Sequence, residues 1–550
     1  MNAEAITREA MSGAGAKRST QTRYKLLAAI KREVAERLEQ SLHKAVFIDL
    51  SNDRQPEQVQ RLWDVEVKIG SGSTTKITPE TKIIDVFDRA AGKLLILGAQ
   101  GSGKTTTLLE LAADLIARAE HNAEQPIPVL FNLSLWESNN QSIASCLVDY
   151  LGAKYGVPVG ISINLLNQQQ ILPLLDGLDE LELSRQEICL QRINYLLDRL
   201  NQLVACNRVE VYKSGTTRLQ MHGAIYLRSL DESQIRNYLL NARSRELWEN
   251  IKTDPDLLVL AKTPILLNIM TLAYEEILIH SWKRLTSLEE RRQYLLNAYV
   301  RRMLIRDVKP HWYSKGKEPR LERSRQGLVR LAKNMRSQAI DEFLIDNMQP
   351  AWLENSTHKA QYRLGVRLIF GVIYGLIASL MLGVTSKLVG GLFIKLIVTL
   401  ILGLIGGIIS GAMGSFILGL TDEILEKIEP FQPNLERKLV TNGGVKEAAI
   451  YGLIFVAIAI LIFGTIAVVA PGISWIIAPI IGLLSIVYVN IYGLPGIQHF
   501  ILRLILWRNG YIPWNYSRFL NYAAQRYFLQ RVGRRYRFMH DLFKEHFASM

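Results

Sequence analysis

Eight residues, Gly98-Ala99-Gln100-Gly101-Ser102-Gly103-Lys104-Thr105, combine glycines, a lysine and a hydroxyl in an order suited to holding phosphate. Glycines let a backbone curl until its N–H groups face phosphate oxygens, and a helix starting there adds the positive end of its dipole. In such a loop Gly98, Gln100, Gly101, Ser102 and Gly103 form the cradle, with Thr106 in the first helical turn. Lys104 would reach the β- and γ-phosphates, and Thr105 would ligate Mg²⁺. Further on, Ile171-Leu172-Pro173-Leu174-Leu175 runs into Asp176-Gly177-Leu178-Asp179-Glu180. An apolar strand would carry Asp176 to its C-terminal end, where open α/β sheets bind ligands. Asp176 then suits the Mg²⁺–water position, and Asp179 or Glu180 the orientation of an attacking water. Pro173 sits awkwardly in such a strand, because it removes one ladder donor. The chemistry indicated is binding of nucleotide phosphates with Mg²⁺, beside carboxylates that could orient an attacking water.

These groups need elements to place them. Between Lys93 and Arg245 apolar runs alternate with helical patterns, the mark of a parallel sheet covered on both faces. The strands read as Leu94–Leu97, Pro128–Leu133, Ile171–Leu175, Leu203–Ala205 and Ala224–Leu227, and a helix follows the glycine loop to about Arg118. Residues 231–350 are mostly helical in pattern, without the internal repeats of solenoids or propellers. Residues 1–20 read as unstructured, and Gly70-Ser71-Gly72-Ser73 as a turn or short linker. Leu27, Ile30, Val34, Leu38 and Leu42 mark an amphipathic helix over 21–46, expected to dock on the next domain. Cys146, Cys189 and Cys206 lack metal or CxxC spacing and read as reduced, buried thiols.

At these residues the chain resembles a NACHT ATPase of the STAND class, the signal-transducing P-loop NTPases that include NOD-like receptors and plant resistance proteins. The stretch Asp176 to Glu180 is similar to that family's second motif. Ala205-Cys206-Asn207-Arg208 resembles its sensor segment, which implies contact between Arg208 and the γ-phosphate. Leu260-Ala261-Lys262-Thr263-Pro264-Ile265-Leu266-Leu267 resembles the helical-domain motif whose proline, here Pro264, packs near adenine. Thr263 as N-cap with Pro264 at the first helical position accounts for the same residues without any ligand. Tyr536 to Ala548 resembles the family's winged-helix segment, in which a histidine, here His540, reaches the ADP phosphates of a closed state. The resemblance, closest to cyanobacterial NACHT proteins with C-terminal transmembrane segments, covers residues 90–290 and more patchily 500–550. It implies a switch, closed with ADP and open with ATP, whose opened protomers form a homo-oligomer in bacterial antiviral defence or stress signalling.

Residues 365–506 change character. Four apolar runs, Leu368–Thr385, Leu396–Leu420, Ala448–Ala470 and Trp475–Leu494, are each long enough to cross a bilayer. Basic residues flank one side: Lys359, Arg363 and Arg367, then Lys427, Arg437, Lys438 and Lys446, then Arg503 and Arg508. That bias places the N- and C-terminal parts in the cytoplasm of a multi-pass inner-membrane protein. Gly371, Gly375, Ser379 and Gly383, and Gly403, Gly407, Gly411, Ser415 and Gly419, make small-residue faces for helix packing. The net charge of +14 is then a membrane feature, with the bilayer as partner and no nucleic acid expected. An ATP-driven transporter is the competing function, but the ABC signature is missing and the spans hold almost no ionisable residues. A GTP-binding protein would need an Asn-Lys-x-Asp guanine reader, which is also missing. The expected layout is an N-terminal helical region (1–90), the nucleotide domain (91–230), a helical domain (231–360), about four transmembrane helices (365–506) and a winged-helix-like segment (507–550).

Overall fold

The computed structural model describes residues 3–41, 65–70, 75–77, 81–136, 141–385 and 494–550, apart from 215, 278, 283, 307, 309–311, 314–317, 339 and 354, together with 401 and 405. Two compact units divide the chain: Met1–Phe343 with Leu520–Met550, and Leu344–Phe519.

The first unit is built on one sheet of β1 (Val65–Ile69), β2 (Thr75–Ile77), β3 (Lys93–Gly98), β4 (Ile127–Asn132), β5 (Ile171–Asp176), β6 (Leu203–Asn207) and β7 (Gly223–Leu227). Their order is β2-β1-β7-β3-β6-β5-β4. Strands β3 to β7 run parallel, and their near-continuous apolar runs are buried, as a sheet covered on both faces requires. The five expected strands are all present. The sequence reading left out β1 and β2, an antiparallel extension beside β7 that arises before residue 90.

Pro173 finds its place in the register. It lies opposite Val129 of β4, and pairing of β5 with β6 begins only at Leu174 and Leu175. The proline therefore precedes the stretch where β5 is paired on both sides.

The N-terminal helix runs from Ala3 to Glu39, through the twenty residues read as unstructured. Leu26, Leu27, Ile30 and Val34 are buried, and Leu38 is half-buried; Leu42 lies outside the described residues. Arg23 donates to the Gln125 carbonyl at 2.7 Å and Lys31 pairs with Glu120 at 2.8 Å, so the helix docks on the nucleotide domain as expected.

Most of the described residues of 232–305, and all of 321–337, are helical. The C-terminal segment returns to this unit as a hairpin, Leu529–Val532 and Arg535–Phe538, followed by the helix Asp541–Ser549. Its anchor is aromatic: Tyr299 stacks on Phe543 at 4.8 Å, meets Phe528 edge-on at 6.0 Å, and donates to the Tyr527 carbonyl at 3.0 Å. Such ring pairs add about 0.5–1.5 kcal/mol each beyond the area they bury. Cys146, Cys189 and Cys206 are buried thiols outside any disulfide.

In the second unit, helices Ser356–Thr385 and Leu494–Arg508 pack where Gly365 faces Ile501; a Cβ there would meet the Ile501 Cγ2 at 3.2 Å. Tyr511 lies edge-on to His358, and Trp352 edge-on to Tyr516.

The membrane reading requires correction. Among the described residues no single helix is long and apolar enough to cross a membrane. The backbone of the first proposed span forms the end of helix Ser356–Thr385; the other three, the second small-residue face and the 421–446 loop lie outside the described residues save Ile401, Ile405 and Leu494. A bent pair of apolar helices, Pro255–Ala261 and Pro264–Glu276, turns by 115°. Every residue of Pro264–Ala273 is buried, so its apolarity serves the core. The multi-pass inner-membrane localisation and the bilayer partner are therefore withdrawn.

Candidate nucleotide-binding site

The loop between β3 and the 18-residue helix Lys104–His121 has the backbone its glycines allow. Gly101 and Gly103 take φ of +76° and +98°, left-handed values that side-chain-bearing residues rarely adopt. At Gly98 a Cβ would strike the Ser102 hydroxyl, and at Gly101 it would strike the Ile265 Cγ2. Lys104 is buried and curls back, its Nζ donating to the carbonyls of Gly98 at 3.2 Å and Ala99 at 3.1 Å. Gln100 lies in the loop, half-buried like Thr106 in the first helical turn.

Strand order brings the second motif alongside. β6 lies between β3 and β5, so the loop, the Asn207-Arg208 segment and the acidic segment leave the sheet at one edge. The Thr105 hydroxyl donates to Asp176 Oδ2 at 2.8 Å, which leaves the hydroxyl oxygen's lone pairs for a cation. Asp176 Oδ1 accepts from the Gly177 N–H at 3.0 Å.

The structure separates two carboxylates that the sequence left interchangeable. Asp179 is ion-paired with the Arg208 Nε. Glu180 faces instead Asn132, whose Nδ2 donates to its Oε2 at 3.3 Å, and the C-terminal helix. Glu180 is exposed at the surface, yet desolvation by the protein around it, and then the carboxylates of Asp541, Asp341 and Asp176, raise its carboxyl above the usual range, against Lys544. Against burial, Lys544, His540, Arg537 and the nearby Glu180 draw Asp541 down to about 2.

Pro264 is buried at the first position of its helix, next to the loop: the Ile265 N–H approaches the Gly101 carbonyl at 3.4 Å. Thr263 is the N-cap by position, but its side chain makes no capping bond, so the ligand-free account of this motif holds only for the backbone.

His540 is half-buried and caps the last helix, its Nδ1 accepting the Leu542 N–H at 3.1 Å. That bond leaves the proton of a neutral ring on Nε2. Burial, with Lys104, Arg537 and Arg292 nearby, pulls its pKa down to about 4 against Asp541. The C-terminal helix lies beside the acidic turn, where Lys544 pairs with Asp341 and Asn132 joins Asp341 to Glu180.

Four residues here were not singled out from sequence: Asn132, Asp341, Asp541 and Lys544. Asn132 alone carried a local signal, a polar residue ending the apolar run of β4 next to β5.

The site fits a nucleotide with Mg²⁺. Ser102 Oγ, Thr107 Oγ1 and Asn207 Nδ2 are buried polar atoms without protein partners around the loop, and the Thr105–Asp176 pair supplies hard oxygen donors.

The fold and these motifs define a P-loop NTPase domain. Residues 93–245 match the family model described as NACHT domain, and that stretch is a NACHT domain. None of the curated proteins matches the chain. Among solved structures the chain is similar to that of the Aeropyrum pernix ORC1 protein in complex with DNA, at 16% identity and a TM-score of 0.26, over 48% of this chain and 72% of that one. So low a score carries nothing about what this chain binds.

Proposed function

We propose that this chain is an ATP-binding and slowly hydrolysing signalling switch, closed with ADP and open with ATP, whose opened protomers assemble in bacterial antiviral defence or stress signalling. The observation that carries the switch is the return of the C-terminal helix to the acidic turn, where Lys544 pairs with Asp341 at 2.6 Å and Asn132 joins Asp341 to Glu180. The NACHT resemblance supports assembly and the defence role.

In this reading the loop N–H groups and Lys104 hold the β- and γ-phosphates, and Thr105 and Asp176 hold Mg²⁺, which when bound neutralises phosphate charge. Arg208, steadied by Asp179, senses the γ-phosphate. Pro264 packs near adenine. Glu180 is the group left to orient the attacking water, and the neighbouring carboxylate of Asp541 keeps it a poor base in the closed form. The His540 Nε2–H donates to the ADP phosphates and so favours closure.

The test combines binding with size. Lys104→Ala should abolish ATP binding, and Glu180→Gln should bind ATP but hydrolyse it slowly. His540→Leu should speed ADP release and raise the fraction of oligomer seen by light scattering. Equal ATP affinity in Lys104→Ala and the parent would falsify the site. Unchanged ADP release and size in His540→Leu would remove the latch and leave the site.

A further inference from the structure

Asn132 ends β4 directly opposite Asp176, wedged against the catalytic turn. At Gly177, where φ is +77°, a Cβ would strike the Asn132 Oδ1 and come within 3.2 Å of Glu180 Oε2. The Asn132 Oδ1 accepts the Ser134 N–H at 2.9 Å, which fixes the amide orientation. Its Nδ2 then gives one proton to Glu180 and the other to Asp341 Oδ2. Asp341 is held in turn by the Ser134 hydroxyl at 2.6 Å and by the Lys544 ammonium at 2.6 Å.

The places of these residues along the chain give the arrangement its meaning. Asp341 and Glu342 lie just before Leu344, where the second unit begins; Arg535 and Lys544 lie after Phe519, where it ends. The two chain runs that flank that unit are thus tied within the first unit by Asp341–Lys544 at 2.6 Å and Glu342–Arg535 at 3.3 Å. One of those ties ends, two hydrogen bonds later, on Glu180.

We propose that Asp341 is a positioning residue for hydrolysis: gripped by Lys544, it holds Asn132, and Asn132 holds Glu180 toward the C-terminal helix. Displacement of either flanking run then releases Glu180 and raises the hydrolysis rate, without need of any change in the phosphate loop. This rests on the reading of Glu180 as the water-orienting group.

Single-turnover hydrolysis of Mg-ATP, alongside the Kd for a fluorescent ATP analogue, tests the relay. Asp341→Asn and Lys544→Met should each raise the hydrolysis rate about tenfold and leave the Kd within about twofold, and Lys544→Arg should recover most of the parent rate. Asn132→Ala should show a similar gain, and adding Lys544→Met to it should change little further, because members of one relay are not additive. Asp341→Asn is nearly isosteric, and thermal melts check that each variant is folded. Rates within twofold of the parent with binding intact would overturn the relay while leaving the nucleotide site standing. Gains that multiply in the double variant would equally overturn it, by making the two residues independent. Parent protein that binds no ATP would instead sink the functional reading, and the relay with it.

Discussion

His540 carries two duties that one residue type can combine. Its ring caps a helix by accepting an N–H, and it stays neutral because burial and nearby cations hold its pKa at about 4 rather than the ordinary 6.5. A depressed histidine favours folding where the unfolded chain would also be neutral. Its stabilising share is complete above about pH 6.5 and is lost as pH falls toward 4, since the unfolded chain takes up the proton first. For the nucleotide-free protein this is on the order of 2–3 kcal/mol across the window. His540→Asn keeps an N-cap acceptor and removes the titration. Its urea midpoint should therefore fall less than the parent's between pH 7.5 and 5. Equal losses would assign the acid lability elsewhere, with His546, also held at about 4 chiefly by burial, the next candidate.

At the scale of elements, the N-terminal helix is joined to the nucleotide domain by charge as well as by its apolar stripe. Glu33 is 4% exposed and receives the Lys154 ammonium at 2.8 Å and the Tyr155 hydroxyl at 2.8 Å. Lys154 also reaches Glu342 at 3.3 Å, and Glu342 reaches Arg535. Four segments thus meet in one buried ionic cluster. Against burial, Lys154, Arg535, Arg537 and Arg37 draw Glu342 down to about 2. Removing one member strands its partners: Glu33→Ala should cost about 2–4 kcal/mol by thermal or urea unfolding and make the helix Ala3–Glu39 a protease target. Adding Lys154→Met should restore part of the loss, because it removes a buried ammonium left with Glu342 as its one carboxylate partner. A Glu33→Ala protein as stable and protease-resistant as the parent would show that the apolar stripe alone docks the helix.

For the whole molecule, the C-terminal segment is a structural part of the nucleotide unit although most of the chain separates it from the phosphate loop. Phe528, Phe543 and Phe547 are fully buried, and Tyr299 and Leu295 of the helical region lie buried with them. Truncation after Phe519 would expose this cluster and delete His540, Asp541 and Lys544 together. The truncated chain should melt at least about 5 °C lower and release ADP faster than the parent. A truncated chain with unchanged melting and ADP release would reduce the segment to an accessory of the fold.

The nucleotide domain was legible in sequence because its signals are short. A glycine loop, an apolar strand and an acidic turn each span only a few residues, and the backbone geometry they need leaves few other residue types acceptable. The five parallel strands followed from the same local alternation, whereas β1 and β2 carry charged residues at alternate positions and stand out only once β1 pairs with β7 and β2 with β1. Only tertiary structure decided that Arg208 takes Asp179 and leaves Glu180 to Asn132, since those choices depend on which side chains the sheet order makes neighbours. It also decided the Asn132–Asp341–Lys544 chain, whose members lie more than two hundred residues apart and carry no common pattern. Apolar length alone does not separate a membrane span from a core helix, as the wholly buried run Pro264–Ala273 illustrates. Hydropathy registers that a side chain avoids water, and only packing tells what covers it.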